Sequence, residues 1–259
     1  MFNFNLYYLR FFTTLIATLS FLNILYSYYF NLYLNVDSYV FTLIISSVPG
    51  VTFFFKQKKD SRISIYLKIL TVISGYLILP VFISAPYYLS IYNISFLDAY
   101  FEAVSGFTST GFTIFENIKH LDESLILWRS TSQWIGGLYF LFSIILLIDI
   151  FDENLKKTLT NFLTFNSAEI SKQSLKIFIF YTSLTFLIFI ILNIFDFRSF
   201  ISFNMAMTII SSGGFLPTNS LSFILSSQTK EIIFSLLMLT SFFSLFFTYN
   251  LILYKQKGI

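Results

Sequence analysis

Residues 95–115 read SFLDAYFEAVSGFTSTGFTIF. Roughly a dozen helix-compatible, largely apolar residues come first, and the chain then breaks into Ser, Thr and Gly. At about 1.5 Å per residue such a helix covers only half of a hydrocarbon core about 30 Å thick. Irregular backbone at membrane depth is tolerated only where protein buries it or a watery cavity adjoins it. The stretch therefore reads as a re-entrant helix and loop. Residues 197–220, FRSFISFNMAMTIISSGGFLPTNS, have the same form.

The rest of the chain supplies the membrane context. Of 259 residues, 56% are hydrophobic, 11% are charged and none is cysteine. Mean hydropathy is +0.76. A soluble domain carries about a quarter charged residues, so an ordinary cytosolic enzyme, a disordered tail and a disulfide-built secreted domain are excluded. Apolar runs at 6–30, 36–55, 63–84, 124–150, 175–195 and 229–254 are long enough to span a bilayer. The first is too long, and too poor in basic residues ahead of it, for a signal peptide. The expected fold is an all-α polytopic membrane protein with six transmembrane helices and two re-entrant pore helices. It divides into a two-span preface (1–62), a first span–loop–span repeat (63–151), a cytoplasmic linker (152–174) and a second repeat (175–259).

Lys and Arg fix the orientation. With the N-terminus inside, about 12 basic residues fall on the cytoplasmic side, against Lys119, Arg129, Arg198 and Lys230 outside. Both termini are thus expected in the cytoplasm. Asp37, Asp98, Glu102, Glu116, Asp122, Glu123, Asp196 and Glu231 fall outside, where an acidic mouth would enrich cations, although Asp37, Asp122 and Glu123 read rather as solvated loop residues. The scattered basic residues form no stripe for nucleic acid.

The two loops match at a constant offset of 103: Ala103 with Ala206, Ser105 with Thr208, Thr108 with Ser211, Ser109 with Ser212, Gly111 with Gly214 and Phe112 with Phe215. A short helix entering from outside points its partly negative C-terminal end at the membrane centre, where it favours a cation. Glycine lets successive carbonyls aim at one axis, and a ring of carbonyls can replace the hydration shell of an alkali cation. Ser109, Thr110, Gly111 and Phe112, with Ser212, Gly213, Gly214 and Phe215, are the centre of that reading.

DAYFEAVSGFTSTGFTIF, LILWRSTSQWIGGL, the cytoplasmic SAE and TIISSGGFLPTNSL together resemble the TrkH branch of the Trk/Ktr/HKT potassium transporters. That family arranges four span–loop–span repeats around one pore, with extra N-terminal spans in the TrkH branch. The resemblance implies potassium uptake across a bacterial inner membrane, with K⁺ as the transported ion and no cofactor or enzymatic activity. It implies a K⁺-binding filter of Thr108, Ser109, Thr110, Gly111, Phe112, Ser211, Ser212, Gly213, Gly214 and Phe215. Glu102, Arg129 and Gln133 match polar positions packed around the first filter. It also implies a cytoplasmic nucleotide-binding regulatory subunit of TrkA type. The resemblance covers only the family's N-terminal half, so the chain is expected to be an incomplete copy of a four-repeat protein, or else to have its ring closed as a homo-oligomer or by a complementing C-terminal half. The stretch GGLYFLFSIILLIDIF departs from the smaller aliphatic residues usual there. A non-conducting scaffold is the alternative from another class, and the intact Ser-Ser-Gly-Gly-Phe weighs against it.

Other residues have plainer readings. Glu102 and Arg129 are expected to pair, because an isolated charge at that depth is costly. Gly136 and Gly137 read as close-packing positions rather than a hinge. Pro80 and Pro86 are expected to end or kink the third span and Pro49-Gly50 to kink the second. His120, the single histidine, has no metal-ligand neighbours. Asp98 and Glu102 lie one helical turn apart but lack a further acid–base partner.

Overall fold

A computed structural model describes residues 3–55, 65–147 and 167–254. Within them all regular secondary structure is helical, without strands. The long helices are α1 (Asn3–Tyr29), α2 (Val36–Phe55), α3 (Ile65–Ser90), α5 (Glu123–Leu147), α6 (Ser167–Ile194) and α8 (Gln228–Tyr254). Two short ones, α4 (Phe96–Phe107) and α7 (Ser199–Ile210), have 12 residues each. Among the described residues, four helices are long and apolar enough to cross a membrane, with apolar windows at Tyr8–Tyr29, Tyr33–Val51, Tyr66–Ser90 and Leu175–Ile194.

Helix α5 has the length but a polar first half, and its position explains why. Every residue from Ser124 to Tyr139 is buried, so α5 is the central post of the molecule rather than a lipid-facing rod. Polar side chains are tolerated there because protein, not lipid, surrounds them. Trp128 Nε1 donates to the Ile83 carbonyl on α3 (3.0 Å), and Trp134 Nε1 donates to Thr185 Oγ1 on α6 (3.0 Å). The Tyr139 hydroxyl reaches the carbonyls of Thr71 and Val72. Aromatic edges tie the preface to the same post: Phe12 of α1 meets Tyr139 at 4.9 Å, and Tyr139 meets Phe107, the last residue of α4, at 5.2 Å. Such pairs add about 0.5–1.5 kcal/mol each beyond their buried area.

Some expected boundaries move. Helix α3 continues through Pro80 and Pro86 to Ser90, and α2 continues through Pro49, so neither proline near the outer end of α3 terminates it. Helix α6 starts at Ser167, inside the stretch expected to be linker. Residues 152–166 of that linker, and the expected boundary at 62–63, lie outside the described residues.

The internal repeat extends well beyond the glycines. Helices α4 and α7 correspond end to end at the offset of 103, as do the short 3₁₀ turns Ile118–His120 and Leu221–Phe223. Asn93 (φ 60°) and Asp196 (φ 57°) take the same left-handed conformation in the turn before each short helix. Side chains that reach back to local backbone tolerate that conformation best.

Candidate functional site

Each short helix ends in the same Schellman-type turn. After α4, the N–H groups of Ser109 and Thr110 donate to the carbonyls of Gly106 (2.9 Å) and Ser105 (3.0 Å). After α7, Ser212 and Gly213 donate to Ile209 (3.0 Å) and Thr208 (2.8 Å). The left-handed residue that this turn requires is usually glycine. Here it is Ser109 (φ 55°) and Ser212 (φ 54°). The expectation that glycine would supply the unusual backbone angle holds only at Gly111 (φ 80°). Gly214 is required for closeness instead: a Cβ there would stand 3.0 Å from the Cα of Gly111. The two loops therefore meet backbone to backbone at their glycines.

The carbonyls of Phe112 and Phe215 depart from the expected ion-facing set. Ser105 Oγ donates to Phe112 O (2.5 Å), and Thr208 Oγ1 donates to Phe215 O (3.1 Å). Both oxygens are thus turned back onto the short helices, because a hydroxyl one or two turns upstream in α4 and α7 draws them in. Thr108, Thr110, Ser212 and Gly214 are exposed beside the meeting point, with Ser109, Gly111 and Gly213 partly so, whereas Ser211 is buried. The hydroxyls of Thr108 and Thr110 are 2.7 Å apart. The single hydroxyl of Ser211 is shared between Met207 O and Thr208 O.

Behind the loops lies a buried ion pair. Glu102 on α4 and Arg129 on α5 are 0% and 1% exposed, with Nε 2.9 Å from Oε1. Burying two charges is unfavourable unless their remaining hydrogen-bonding capacity is met, and here most of it is. Glu102 also accepts from Thr113 Oγ1 (3.0 and 3.1 Å) and from the Ile114 N–H (3.1 Å). Arg129 donates to Thr113 Oγ1 (3.0 Å) and, across the repeat boundary, to Leu216 O (3.3 Å). Its guanidinium also lies 4.2 Å from the Phe215 ring centroid. The expected pair is present, and it touches both loops.

Gln133, expected around the first loop, reaches the second. Its amide is oriented by its neighbours, as such groups must be. The NH₂ donates to Thr208 Oγ1 (3.1 Å), and the oxygen accepts from the N–H groups of Gly214 and Phe215 (2.9 Å each). Gln133 lies one helical turn further along α5 than Arg129, at the level where α5 crosses α7. Next on the same helix, Gly136 is pressed against the Phe107 carbonyl that ends α4. Gly137 is pressed against Ser211, whose Cβ would be 2.8 Å from any added methyl. Both positions are occupied by packing, which leaves no room for a hinge reading.

Asp98 serves as the cap partner of α4. Ser95 Oγ accepts from the Asp98 N–H (3.1 Å) and donates to Asp98 Oδ2 (2.7 Å). With Glu102 engaged by Arg129, the two acids form no working pair. Among the described residues, no group of three or more His, Cys, Asp or Glu could hold a metal, and His120 is exposed. Two features escaped the sequence reading: the Ser95–Asp98 cap, signalled by Ser-x-x-Asp, and the paired hydroxyls of Ser105 and Thr208, whose only signal was their repeat equivalence.

No protein-family model matches the chain. A stretch of 52 residues, 20% of this chain and 11% of the relative, is 48% identical to an uncharacterized cation transporter of Methanocaldococcus jannaschii. A stretch of 66 residues is 41% identical to the Trk system potassium uptake protein TrkI of Halomonas elongata, covering 26% of this chain and 12% of the relative. A 46-residue stretch, 18% of this chain, is 44% identical to 10% of TrkG of Escherichia coli K12. The crystal structure of the potassium transporter TrkH from Vibrio parahaemolyticus matches with a TM-score of 0.70 at 20% identity, over 91% of this chain and 49% of the transporter. This chain therefore spans about half the length of that transporter, and the matching stretches span about a tenth of the curated relatives. It is an all-helical, multi-pass membrane protein that resembles the N-terminal half of a TrkH-type potassium transporter, in fold along most of its length and in sequence over these shorter stretches.

Proposed function

We propose that this chain is part of a potassium-uptake pore. K⁺ is drawn inward by the membrane potential, past backbone carbonyls of the Thr108–Gly111 and Ser211–Gly214 segments. One observation carries the reading: two loops that leave their short helices through the same left-handed serine turn, 103 residues apart, meet at Gly111 and Gly214. A charge crossing 100 mV gains about 2.3 kcal/mol, so such a protein needs no chemistry of its own, and no enzymatic role is proposed. In this reading the Glu102–Arg129 pair and Gln133 support the loops. The protein sits in a bacterial inner membrane with both termini cytoplasmic. Its cytoplasmic face receives a nucleotide-binding regulatory subunit of TrkA type. Six spans are proposed: the four apolar ones, α5 and α8.

Two loops do not encircle an ion. The side bearing Thr108, Thr110 and Phe112 is exposed, and the Phe112 residue is 70% exposed. That openness favours a chain that works with further repeats, supplied by a complementing half or by a second copy. Complementation of a potassium-uptake-deficient bacterium tests this. Growth at low K⁺ only when a C-terminal half is co-expressed is the expected result, and growth unaided would show that copies of this chain close the ring. No growth in either case, with the protein present in the membrane, would favour the scaffold reading.

A further inference from the structure

The hydrogen bonds of Gln133 do more than fill space. In a planar trans peptide, the N–H of one residue and the C=O of the residue before it point in opposite directions. The N–H groups of Gly214 and Phe215 both converge on the Gln133 side-chain oxygen at 2.9 Å. The carbonyls of Gly213 and Gly214 must therefore both point away from α5. Successive carbonyls of an extended segment ordinarily alternate sides, so this arrangement needs a cause, and one acceptor binding two consecutive donors is a sufficient one. Gln133 is fully buried. Its amide nitrogen is held in turn by Thr208 Oγ1, the hydroxyl that also fixes the Phe215 carbonyl. The Gln133 side chain also lies where a Cβ on Gly213 would stand, so residue 213 must be glycine for the amide to come this close.

The first loop has no counterpart to this clamp. Its Gly111 N–H turns back to Ser105 O (3.4 Å). Its Phe112 N–H finds no hydrogen-bond acceptor among the described residues. The repeat equivalents of Arg129 and Gln133 on α8 are Ile232 and Leu236, both apolar and exposed.

We propose that Gln133 is a positioning residue for the second loop: standing on the first repeat's helix, it sets the direction of the Gly213 and Gly214 carbonyls across the repeat boundary. The two repeats are then coupled in one direction, with repeat one shaping the ion-facing backbone of repeat two. This rests on the potassium-pore reading for its functional meaning but not for its test.

The test compares backbone-amide hydrogen exchange, resolved at Gly214 and Phe215, in the full chain in lipid nanodiscs for wild type, Gln133→Leu and Gln133→Glu. Loss of the acceptor should speed exchange at Gly214 and Phe215 about tenfold in Gln133→Leu and leave Gly111 and Phe112 unchanged. Gln133→Glu keeps the oxygen acceptor and should restore protection. If Gln133→Leu fails to reach the membrane, Gln133→Met, of similar length, takes its place. Unchanged exchange at Gly214 and Phe215 would overturn the proposal, and so would equal loss of protection in the Leu and Glu variants or equal acceleration in both loops. With a pore-completing half present, K⁺-over-Na⁺ uptake should fall in Gln133→Leu and recover in Gln133→Glu. A wild type that transports nothing would defeat the pore reading while the exchange result still decides the role of Gln133.

Discussion

The two loops share the turn that starts them and differ in what holds them. Both end a 12-residue helix in a Schellman turn with a left-handed serine, and both tether a phenylalanine carbonyl to a hydroxyl on that helix. The second loop is then gripped from α5 by Arg129 at Leu216 and by Gln133 at Gly214 and Phe215. Its Phe215 is buried at 1%, against 70% exposure for Phe112. The first loop is gripped by the ion pair alone, through Glu102 at Thr113 and Ile114 and through Arg129 at Thr113, with nothing in the place of Gln133. Local hydrogen bonding thus reproduces the same turn twice, and tertiary packing decides how firmly each copy is held. The loop finished inside this chain is the second one.

Arg129 gives the largest expected break in that comparison. Arg129→Ala strands Glu102 as an uncompensated buried charge and releases both loops. Removing one partner of a buried pair costs about 3–5 kcal/mol. Denaturant unfolding in mixed micelles should register that loss, and the double variant Glu102→Gln with Arg129→Met should recover much of it. Equal losses in the single and double variants would mean that the pair is not the element joining the loops.

The glycines where the loops meet should separate next. Gly111→Ala meets two obstacles: the left-handed φ of 80°, which costs a side-chain-bearing residue about 1–2 kcal/mol, and overlap with Gly214, for which about 1–3 kcal/mol is typical. Gly214→Ala meets only the close approach, 3.0 Å from Gly111 Cα. The first substitution should therefore lower stability by about 1–2 kcal/mol more than the second. The same unfolding titration measures both, and the reverse order would show that Gly214 carries the conformational demand.

Much of this architecture was legible in the amino-acid sequence because it rests on periodicity and length. The 12-residue helices, the offset of 103 and the Glu102–Arg129 pair all follow from rules that act within one or two turns, or from the high cost of an unpaired charge in lipid. What was not legible depends on which surfaces α5 brings together. Gln133 lies in a polar run, Arg-Ser-Thr-Ser-Gln, that does not say which loop it faces, and tertiary crossing sends it to the second. The role of serine at the left-handed position was hidden for a different reason. A Schellman turn favours glycine, so nothing in the residue types of Ser109 and Ser212 marks them as its left-handed positions. Continuation of α3 through two prolines was likewise a packing outcome: buried Leu79 and Ile83 hold that stretch helical against the local penalty.

The hydroxyl tethers should differ in the same sense as the loops. Thr208→Val leaves the Phe215 carbonyl without its donor in a buried setting and removes a partner of Gln133. About 1–2 kcal/mol is expected. Ser105→Ala frees the Phe112 carbonyl at an open edge, where water can take over, so its effect should be under about 1 kcal/mol. Equal effects would mean that the first loop is as tightly enclosed as the second.

The smallest effect is expected beyond the loops, where the two connections that follow them touch. Asn219 Nδ2 donates to Asn117 Oδ1 (2.8 Å), and Asn219 Oδ1 accepts from the Lys119 N–H (3.3 Å). Both asparagines are exposed, so water competes for every group involved, and the net value of such a contact is a fraction of the usual 0.5–1.5 kcal/mol. Asn219→Ala should shift stability by about 0.5 kcal/mol or less and leave amide exchange at Gly214 unchanged. If it instead matched Gln133→Leu in releasing Gly214, the second loop would be held through this contact, and the asymmetry assigned to α5 would belong to the two connections.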